Sequence, residues 1–267
     1  TNKVYNVDYD GSGENMGICI IPNIDFGYVP LTPASGNEFR LPKAENMLRQ
    51  YASHYGHPFG YIQEQRNQIF QQIVPVRRLA SVQISSSSTT ELDLHTETAF
   101  HPYRPDFVFL LCLRGDPTAF TTYANLNAIL KKLGDTTQNV LRQHWYTTRV
   151  DESFLLNGQE DKSIEMPILQ GEGKDVRIVY DKYFMRGTST AARRALDELN
   201  DAIIKSTRKV ALNTGDLMII DNRTTVHGRL PFTPKYDGTD RWIMRTLAMK
   251  ELPPSEHLDG EIVTMAL

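Results

Sequence analysis

The 267-residue sequence predicts a mostly β protein, a β-sandwich or barrel with helical additions. Short apolar runs of strand length recur along the chain, and three segments show the spacing of amphipathic helices. The length is also typical of a large all-β unit. Because no linker or repeat separates these segments, we expect one domain over residues 1–267.

The predicted elements alternate along the chain. The strands are expected at Ile69–Val76, Ala80–Ile84, Phe107–Leu113, Arg177–Tyr180, Leu217–Ile220 and Trp242–Leu247. The helices are expected at Lys43–Ser53, at Tyr123–Leu133 before Gly134, and at Ser189–Ser206. The apolar stripes of these helices are typical of faces that pack on a core.

Composition argues against several classes of protein. With 29 basic and 32 acidic residues the formal net charge is -3, which argues against nucleic acid or an anionic membrane as the main partner. No apolar run approaches the ~18 residues of a membrane span. The two cysteines, Cys19 and Cys112, are too few for a disulfide framework, although a single disulfide stays open. We therefore expect a cytoplasmic protein.

A metal-binding pattern lies in the segment LDLHTETAFHPYRPD. His95 and Glu97 are two residues apart, and such residues project from the same face of a strand, so that both side chains reach one metal ion. The candidate for a third ligand is His227, which follows the apolar run Leu217–Ile220. Two imidazoles and one carboxylate leave the open positions that a non-haem Fe(II) oxygenase needs for a cosubstrate and dioxygen.

Two arginines strengthen this hypothesis, because a His-x-Glu pattern alone is also typical of a surface strand, and nearby His101 is either a ligand or a polar neighbour. Arg241 and Arg245 are four residues apart and face the same side of a strand. A guanidinium fork is the preferred partner of a carboxylate. Arg241 fits the free C5 carboxylate of 2-oxoglutarate, and Arg245 a carboxylate of the substrate. The alternative is a pair of arginines on an exposed strand face.

Three segments between Pro58 and Arg245 together carry a family resemblance. They are PFGYIQEQRNQIFQQIVPV, ELDLHTETAFHPYRPDFVFLLCLRGD and GDLMIIDNRTTVHGRLPFTPKYDGTDRWIMR. They resemble the clavaminate synthase-like branch of the Fe(II)/2-oxoglutarate-dependent oxygenases, most specifically in the metal ligands, HPYRPD and Asp-Arg-Trp. The resemblance implies a double-stranded β-helix, which is a jelly roll. It also implies hydroxylation of amino acids such as arginine and asparagine, or the building of related antibiotics.

The resemblance also implies roles around the iron. The residues that it assigns to Fe(II), and hence to catalysis, are His95, Glu97 and His227. It assigns Arg241 to the C5 carboxylate of 2-oxoglutarate together with Thr122, although Thr121 remains an alternative because the alignment there needs a gap. Since Glu97 is lacking in related halogenases, its presence favours hydroxylation or desaturation over chlorination.

On the substrate side, Arg245 matches the arginine that binds an amino acid α-carboxylate, and Asp181 matches an acid that faces the cationic or amide end of the substrate. Val179 stands where arginine hydroxylases have a second acid, which favours lysine, ornithine or asparagine over arginine. Glu64 and Gln65 lie near the position for the substrate amino group. Solvated polar turns are the alternative for these acids and amides.

The resulting expectation is an enzyme that uses Fe(II), 2-oxoglutarate and O2 to hydroxylate an unactivated C–H bond of a free L-amino acid. One alternative is the same chemistry on a carrier-tethered amino acid or another small acid, for which Arg245 is not needed. The other is a non-catalytic metal-binding or sugar-binding jelly roll, which has no need to keep every ligand and Arg241. A zinc hydrolase is disfavoured because it has no use for the arginine pair.

Overall fold

The computed structural model describes residues 5–6 as main chain, and residues 17–36, 39–64, 68–265 and 267 in full. The strands are short and spread over the whole chain. In chain order they are β1 (Tyr5–Asn6), β2 (Ile18–Ile21), β3 (His57–Tyr61), β4 (Gln71–Ile73), β5 (Leu92–His95), β6 (Phe107–Arg114), β7 (Thr121–Asn125), β8 (Tyr146–Arg149), β9 (Ser163–Met166), β10 (Leu169–Gln170), β11 (Arg177–Ile178), β12 (Arg186–Gly187), β13 (Arg208–Val210), β14 (Leu217–Asp221), β15 (Thr225–Arg229), β16 (Trp242–Met249), β17 (Leu258–Asp259) and β18 (Ile262–Val263).

The helices are α1 (Pro42–Ser53), α2 (Leu126–Leu130), α3 (Asp135–Leu141), α4 (Glu152–Leu155) and α5 (Thr190–Ser206), with 3₁₀ turns at Arg77–Leu79, Gly173–Asp175 and Ser255–His257. The helix predictions are confirmed for α1, which carries Pro42 in its first turn, and for α5, whose N-cap Ser189 accepts a hydrogen bond from the N–H of Ala192. Within the described ranges, no helix is long and apolar enough to cross a membrane.

Two mainly antiparallel sheets face one another. The larger has nine strands in the order β1-β2-β14-β6-β16-β3-β18-β17, with β4 also paired to β16, and β18 joins β3 in parallel. The smaller has the order β13-β7-β15-β5. This sandwich is the jelly roll that the sequence predicts, so the fold prediction is confirmed. Because the larger sheet takes strands from near both ends of the chain, we keep the prediction of one domain over 1–267.

Alternation along the strands decides which side chains reach the space between the sheets. In β6, Phe107, Phe109 and Leu111 pack with α1 on the outside, whereas Val108 and Leu110 face the smaller sheet. Strands with an apolar layer on both sides read as continuous apolar runs, which is why they are visible in the sequence. On the smaller sheet, Leu94, Ala124 and Val226 face the layer of α2, α3 and α5. Their sequence neighbours therefore face the space between the sheets.

One helix prediction is wrong in its first residues, and one strand prediction is wrong. Tyr123–Asn125 belongs to β7 and not to a helix, because these residues pair with β15 and the side chain of Asn125 caps α2 by accepting from the N–H of Asn127 at 2.9 Å. The predicted strand Ala80–Ile84 is a series of turns. The carbonyl of Ala80 accepts three main-chain N–H groups, from Ser88, Thr89 and Thr90, and this closes a loop rather than a ladder.

Candidate active site

The three predicted metal ligands, His95, Glu97 and His227, come together between the two sheets. One ligand atom of each lies within 4.8 Å of the other two. The Nε2 atom of His227 is 3.1 Å from Oε2 of Glu97, and Nε2 of His95 is 4.0 Å from the same oxygen. Two imidazoles and a carboxylate at this spacing fit one metal ion.

The pairing of β15 with β5 brings the two histidines together. His227 lies directly opposite His95 in the ladder, so that both side chains project from the same face. Gly228 permits the close approach of the strands, because a Cβ atom there would lie 2.4 Å from the carbonyl oxygen of Leu92. The ladder then shifts register between His227 and Arg229.

Glu97 reaches the cluster differently from the prediction. Strand β5 ends at His95, so Glu97 lies in the following turn rather than on the same strand face. Its N–H donates to Oδ1 of Asn222 at 2.7 Å, and Nδ2 of Asn222 donates to its carbonyl at 3.2 Å. Thr98 has a φ of 54°, which is unfavourable for a β-branched residue, and the turn that it completes aims Glu97 at the histidines.

The protonation states suit a metal ligand set. Nδ1 of His95 is 2.7 Å from the carbonyl of Asp93, and a proton on Nδ1 leaves the lone pair of Nε2 free. Burial lowers the pKa of His227 despite the opposing effect of Glu97, which favours the neutral imidazole. Burial opposes ionisation of Glu97, but the charge of Arg245 and the contact with His227 outweigh it and hold its pKa well below the ordinary value.

Arg245 is buried beside Glu97. Its Nη1 donates to Oε1 of Glu97 at 2.7 Å, its Nη2 donates to Oε1 of Glu64, and its Nε donates to Oε1 of Gln71 at 2.8 Å. Burial alone would lower the pKa of Arg245, but the two carboxylates more than offset this and raise it. Oε2 of Glu64 is buried and has no hydrogen-bond partner among the described residues. The network therefore holds both a guanidinium and an unused carboxylate oxygen.

Arg241 directly precedes β16, faces the same space and is buried. Its Nη2 donates to Oγ1 of Thr121 at 3.4 Å, and no carboxylate of the described chain forms an ion pair with it. Thr122 is also buried, but its ladder partner is Gly228 and its side chain lies on the outer face of the smaller sheet. The geometry thus favours Thr121, the alternative of the sequence analysis, as the neighbour of Arg241.

The same cavity carries a pair of aspartates at its wall. Asp181 forms an isolated antiparallel bridge with His95, and its carboxylate accepts from the N–H of Phe184 at 2.8 Å. Asp151 stands at the N-cap of α4, yet its side chain makes no capping hydrogen bond. Burial and the Asp181 carboxylate raise the pKa of Asp151 well above its ordinary value. Burial, followed by a smaller effect of Asp93, also raises the pKa of Asp181.

Two further candidates from the sequence analysis, Gln65 and His101, are not part of the described metal cluster. Gln65 lies outside the described residues. His101 is buried in an aromatic cluster, 4.8 Å from the ring of Tyr61, and burial lowers its pKa to about 4. It is therefore a packed neutral side chain and not part of the metal cluster. Sequence reasoning missed Asp151 and Asn222, because an aspartate in front of a short helix and an Asp-Asn pair directly after the run Leu217–Ile220 are typical of ordinary cap and turn residues.

Comparison with known proteins identifies the family. Residues 37–247 match the family described as taurine catabolism dioxygenase TauD, TfdA family, and the chain belongs to it. An L-lysine 3-hydroxylase of Catenulispora acidiphila is 39% identical over 208 residues, which are 76% of this chain and 58% of that protein. The alignment thus spans less than two thirds of that relative's length.

Solved structures agree with the fold. Asparagine oxygenase in complex with Fe(II), 2S,3S-3-hydroxyasparagine and succinate has a TM-score of 0.85 and 32% identity, over 96% of this chain and 82% of that chain. The non-haem iron oxygenase OrfP in complex with Fe and alpha-ketoglutaric acid has a TM-score of 0.83 and 32% identity, over 92% and 81%. The predicted family and jelly roll are confirmed, and these two structures hold the groups predicted here.

Proposed function

We propose that this chain is an Fe(II)- and 2-oxoglutarate-dependent oxygenase that hydroxylates an unactivated C–H bond of a free L-amino acid with a basic side chain. The observation that carries the proposal is the pair of buried guanidinium groups, Arg241 directly before β16 and Arg245 within it, which line the cavity of the His-Glu-His cluster. Arg241 contacts Thr121, whereas Arg245 contacts Glu64 and Glu97, and these separate surroundings suit carboxylates on two different molecules.

In this proposal, the iron is held by His95, Glu97 and His227. Arg241 and Thr121 receive the C5 carboxylate of 2-oxoglutarate, and the predicted role of Thr122 passes to its neighbour. When bound, Fe(II), 2-oxoglutarate and O2 would supply the oxidising power. One atom of O2 would enter succinate, which forms with carbon dioxide from 2-oxoglutarate, and the other would enter the C–H bond. The protein supplies orientation and a site shielded from water.

The substrate end of the cavity has the groups for an α-amino acid. The Nη1 group of Arg245 donates to a single acceptor and so retains an N–H for the substrate α-carboxylate. The unused oxygen of Glu64 lies beside it and suits the α-ammonium group. A thioester-linked substrate has no α-carboxylate for Arg245, so the site favours the free amino acid.

The aspartate pair favours a basic side chain over an amide. Val179 packs against the outer helices, so the second acid expected at that position is absent from the cavity. Asp151 provides a second carboxylate from another segment. Two neighbouring carboxylates with raised pKa repel one another, and an ammonium or guanidinium group relieves that repulsion, whereas an amide does not. Lysine, ornithine and arginine are thus the first substrates to test.

A cytoplasmic location is also part of the proposal. Cys19 and Cys112 are both buried free thiols, and free thiols persist in a reducing compartment. Burial raises the pKa of Cys112 to about 12, so that this thiol is unreactive as well as unpaired.

The test is an aerobic incubation with Fe(II), ascorbate and 2-oxoglutarate across free L-amino acids and their D-forms. Succinate and product masses are followed together. We expect one added oxygen on a basic L-amino acid, coupled to succinate, and little product from asparagine. Succinate without a modified amino acid would point to a tethered or different substrate, and the absence of succinate with every substrate would refute the proposal.

A further inference from the structure

Arg229 is a buried guanidinium on the wall of the same cavity that the proposed reaction leaves without a role. It lies two residues after His227 on β15, opposite Thr121, and only 3% of it is exposed. Because alternate residues share a face, its side chain projects into the same space as His227 and Thr121.

Every hydrogen bond that Arg229 forms with the described residues goes to a neutral group. Its Nη1 donates to the carbonyls of Ser88 at 3.2 Å and Leu230 at 2.8 Å. Its Nη2 donates to Oγ of Ser87 at 2.8 Å and to the carbonyl of Thr90 at 3.3 Å. Nε is buried and has no partner in the described part of the chain. Part of the serine-rich stretch at 85–88 therefore contacts the guanidinium group of Arg229, whose charge no described carboxylate neutralises.

A second uncompensated charge lies nearby. Arg241 also faces the cavity without an ion-pair partner in the described ranges, and Asp116 acts on it only from a longer distance. Both guanidinium groups, those of Arg229 and Arg241, line the same cavity. Two buried like charges are unfavourable unless an anion joins them, since removing a charge from water is costly. The end of the cavity at Arg229 and Arg241 therefore favours the binding of an anion.

We propose that Arg229 is a second cationic residue for the distal carboxylate of 2-oxoglutarate, and that it sets the preference of the site for a 2-oxo diacid over a 2-oxo monoacid. Arg241 binds the carboxylate directly. Arg229 acts as a positioning residue that adds positive potential and fixes the 87–90 segment as a wall of the site. The inference rests on the proposed function in one respect, namely that 2-oxoglutarate binds at Arg241.

Arg104 provides a matched control within the chain. It is likewise held by carbonyls, those of Ala99 at 3.3 Å and His101 at 3.0 Å, and forms no ion pair with a described carboxylate. It does not line the cavity. An Arg104→Gln variant therefore loses a comparable set of hydrogen bonds without removing charge from the site.

The experiment measures binding by calorimetry on the metal-loaded protein without oxygen, with two probes of equal chain length. These are 2-oxoglutarate and 2-oxopentanoate, which has a methyl group in place of the C5 carboxylate. We expect Arg229→Gln to weaken 2-oxoglutarate about tenfold and to leave 2-oxopentanoate nearly unchanged. Arg229→Lys keeps the charge and should retain most of the preference, and Arg104→Gln should leave both affinities as they are.

An equal loss for both probes, or no loss for either, would overturn the role of Arg229. If Arg229→Gln does not fold, the comparison of Arg229→Lys with wild type still decides, because a purely structural arginine predicts that lysine weakens both probes alike. Failure of the wild-type protein to bind 2-oxoglutarate would instead refute the proposed function, so the two failures are distinct.

Discussion

The side-chain amide of Asn222 hydrogen-bonds both main-chain groups of Glu97, accepting its N–H at 2.7 Å and donating to its carbonyl at 3.2 Å. The same Nδ2 also donates to the carbonyl of Pro105 at 2.8 Å. Asn222 is buried, and its amide supplies to the turn at Glu97 the main-chain hydrogen bonds that a neighbouring strand supplies within a sheet. The orientation of the Glu97 carboxylate therefore depends on Asn222.

Replacement of Asn222 should loosen the metal site. Asn222→Ala removes both bonds to Glu97, and we expect metal affinity to fall about 10- to 100-fold, the usual effect of losing support behind a ligand. Titration with Co(II), followed by its visible absorption, measures this without turnover. Asn125→Ala is the control, because it removes a buried amide that caps α2 and should lower stability alone. Unchanged Co(II) affinity in Asn222→Ala would exclude the positioning role.

The sequence predicts the parts of this site that follow from periodicity. His227 and Arg245 lie on strands and Arg241 directly precedes one, and all three line the cavity, as the alternation of strand residues predicts. Asn222 and Asp151 could not be found this way, because their roles depend on segments far apart in the chain meeting in space. The position of Glu97 shows the same limit. The sequence predicts that Glu97 reaches the metal from the strand face that carries His95, whereas a turn held by the distant amide of Asn222 places it there.

Loss of a metal ligand should abolish turnover. His227→Ala and Glu97→Ala each remove one of three ligands, and we expect neither protein to form succinate or to hold Fe(II) stoichiometrically. Metal content and succinate are both measured, with His101→Ala as the control for a buried histidine outside the cluster. Normal activity in the Glu97→Ala protein would refute the assignment of the iron site.

Replacement of Arg241 and replacement of Arg245 should change the KM values of different substrates. Arg241→Lys keeps a charge but loses the fork, and we expect the KM for 2-oxoglutarate to rise about 10- to 100-fold while that for the amino acid changes little. Arg245→Lys should do the reverse, because it faces Glu64 and Glu97 at the substrate end. Initial rates with each substrate varied in turn test this. Equal effects of both variants on both KM values would contradict two separate carboxylate sites.

Asp151 should lower the free energy of unfolding at neutral pH while it contributes to substrate binding. An aspartate whose pKa is raised by folding keeps its proton more firmly in the folded chain than in the unfolded one. Below the unfolded value of about 3.9 both states are protonated and the group has no effect on stability. As pH rises above that value, the unfolded chain ionises first, so stability falls towards the raised folded pKa and the loss persists at neutral pH.

Asp151→Asn removes this loss, so the free energy of unfolding at pH 7 should rise by roughly 1 kcal/mol, or 2–4 °C in Tm, with no gain near pH 3. The same variant should raise the KM for a basic amino acid about tenfold, since one of two carboxylates facing its cation is gone, and leave the KM for 2-oxoglutarate unchanged. Exposed Asp201 on α5 supplies the control, for which Asp201→Asn should change neither quantity. A stabilised Asp151→Asn protein with an unaltered amino acid KM would show that the carboxylate pair is a strained feature without a role in substrate selection. A rise in both the free energy of unfolding and the KM for the basic amino acid would show that the destabilising carboxylate pair also recognises a cationic side chain.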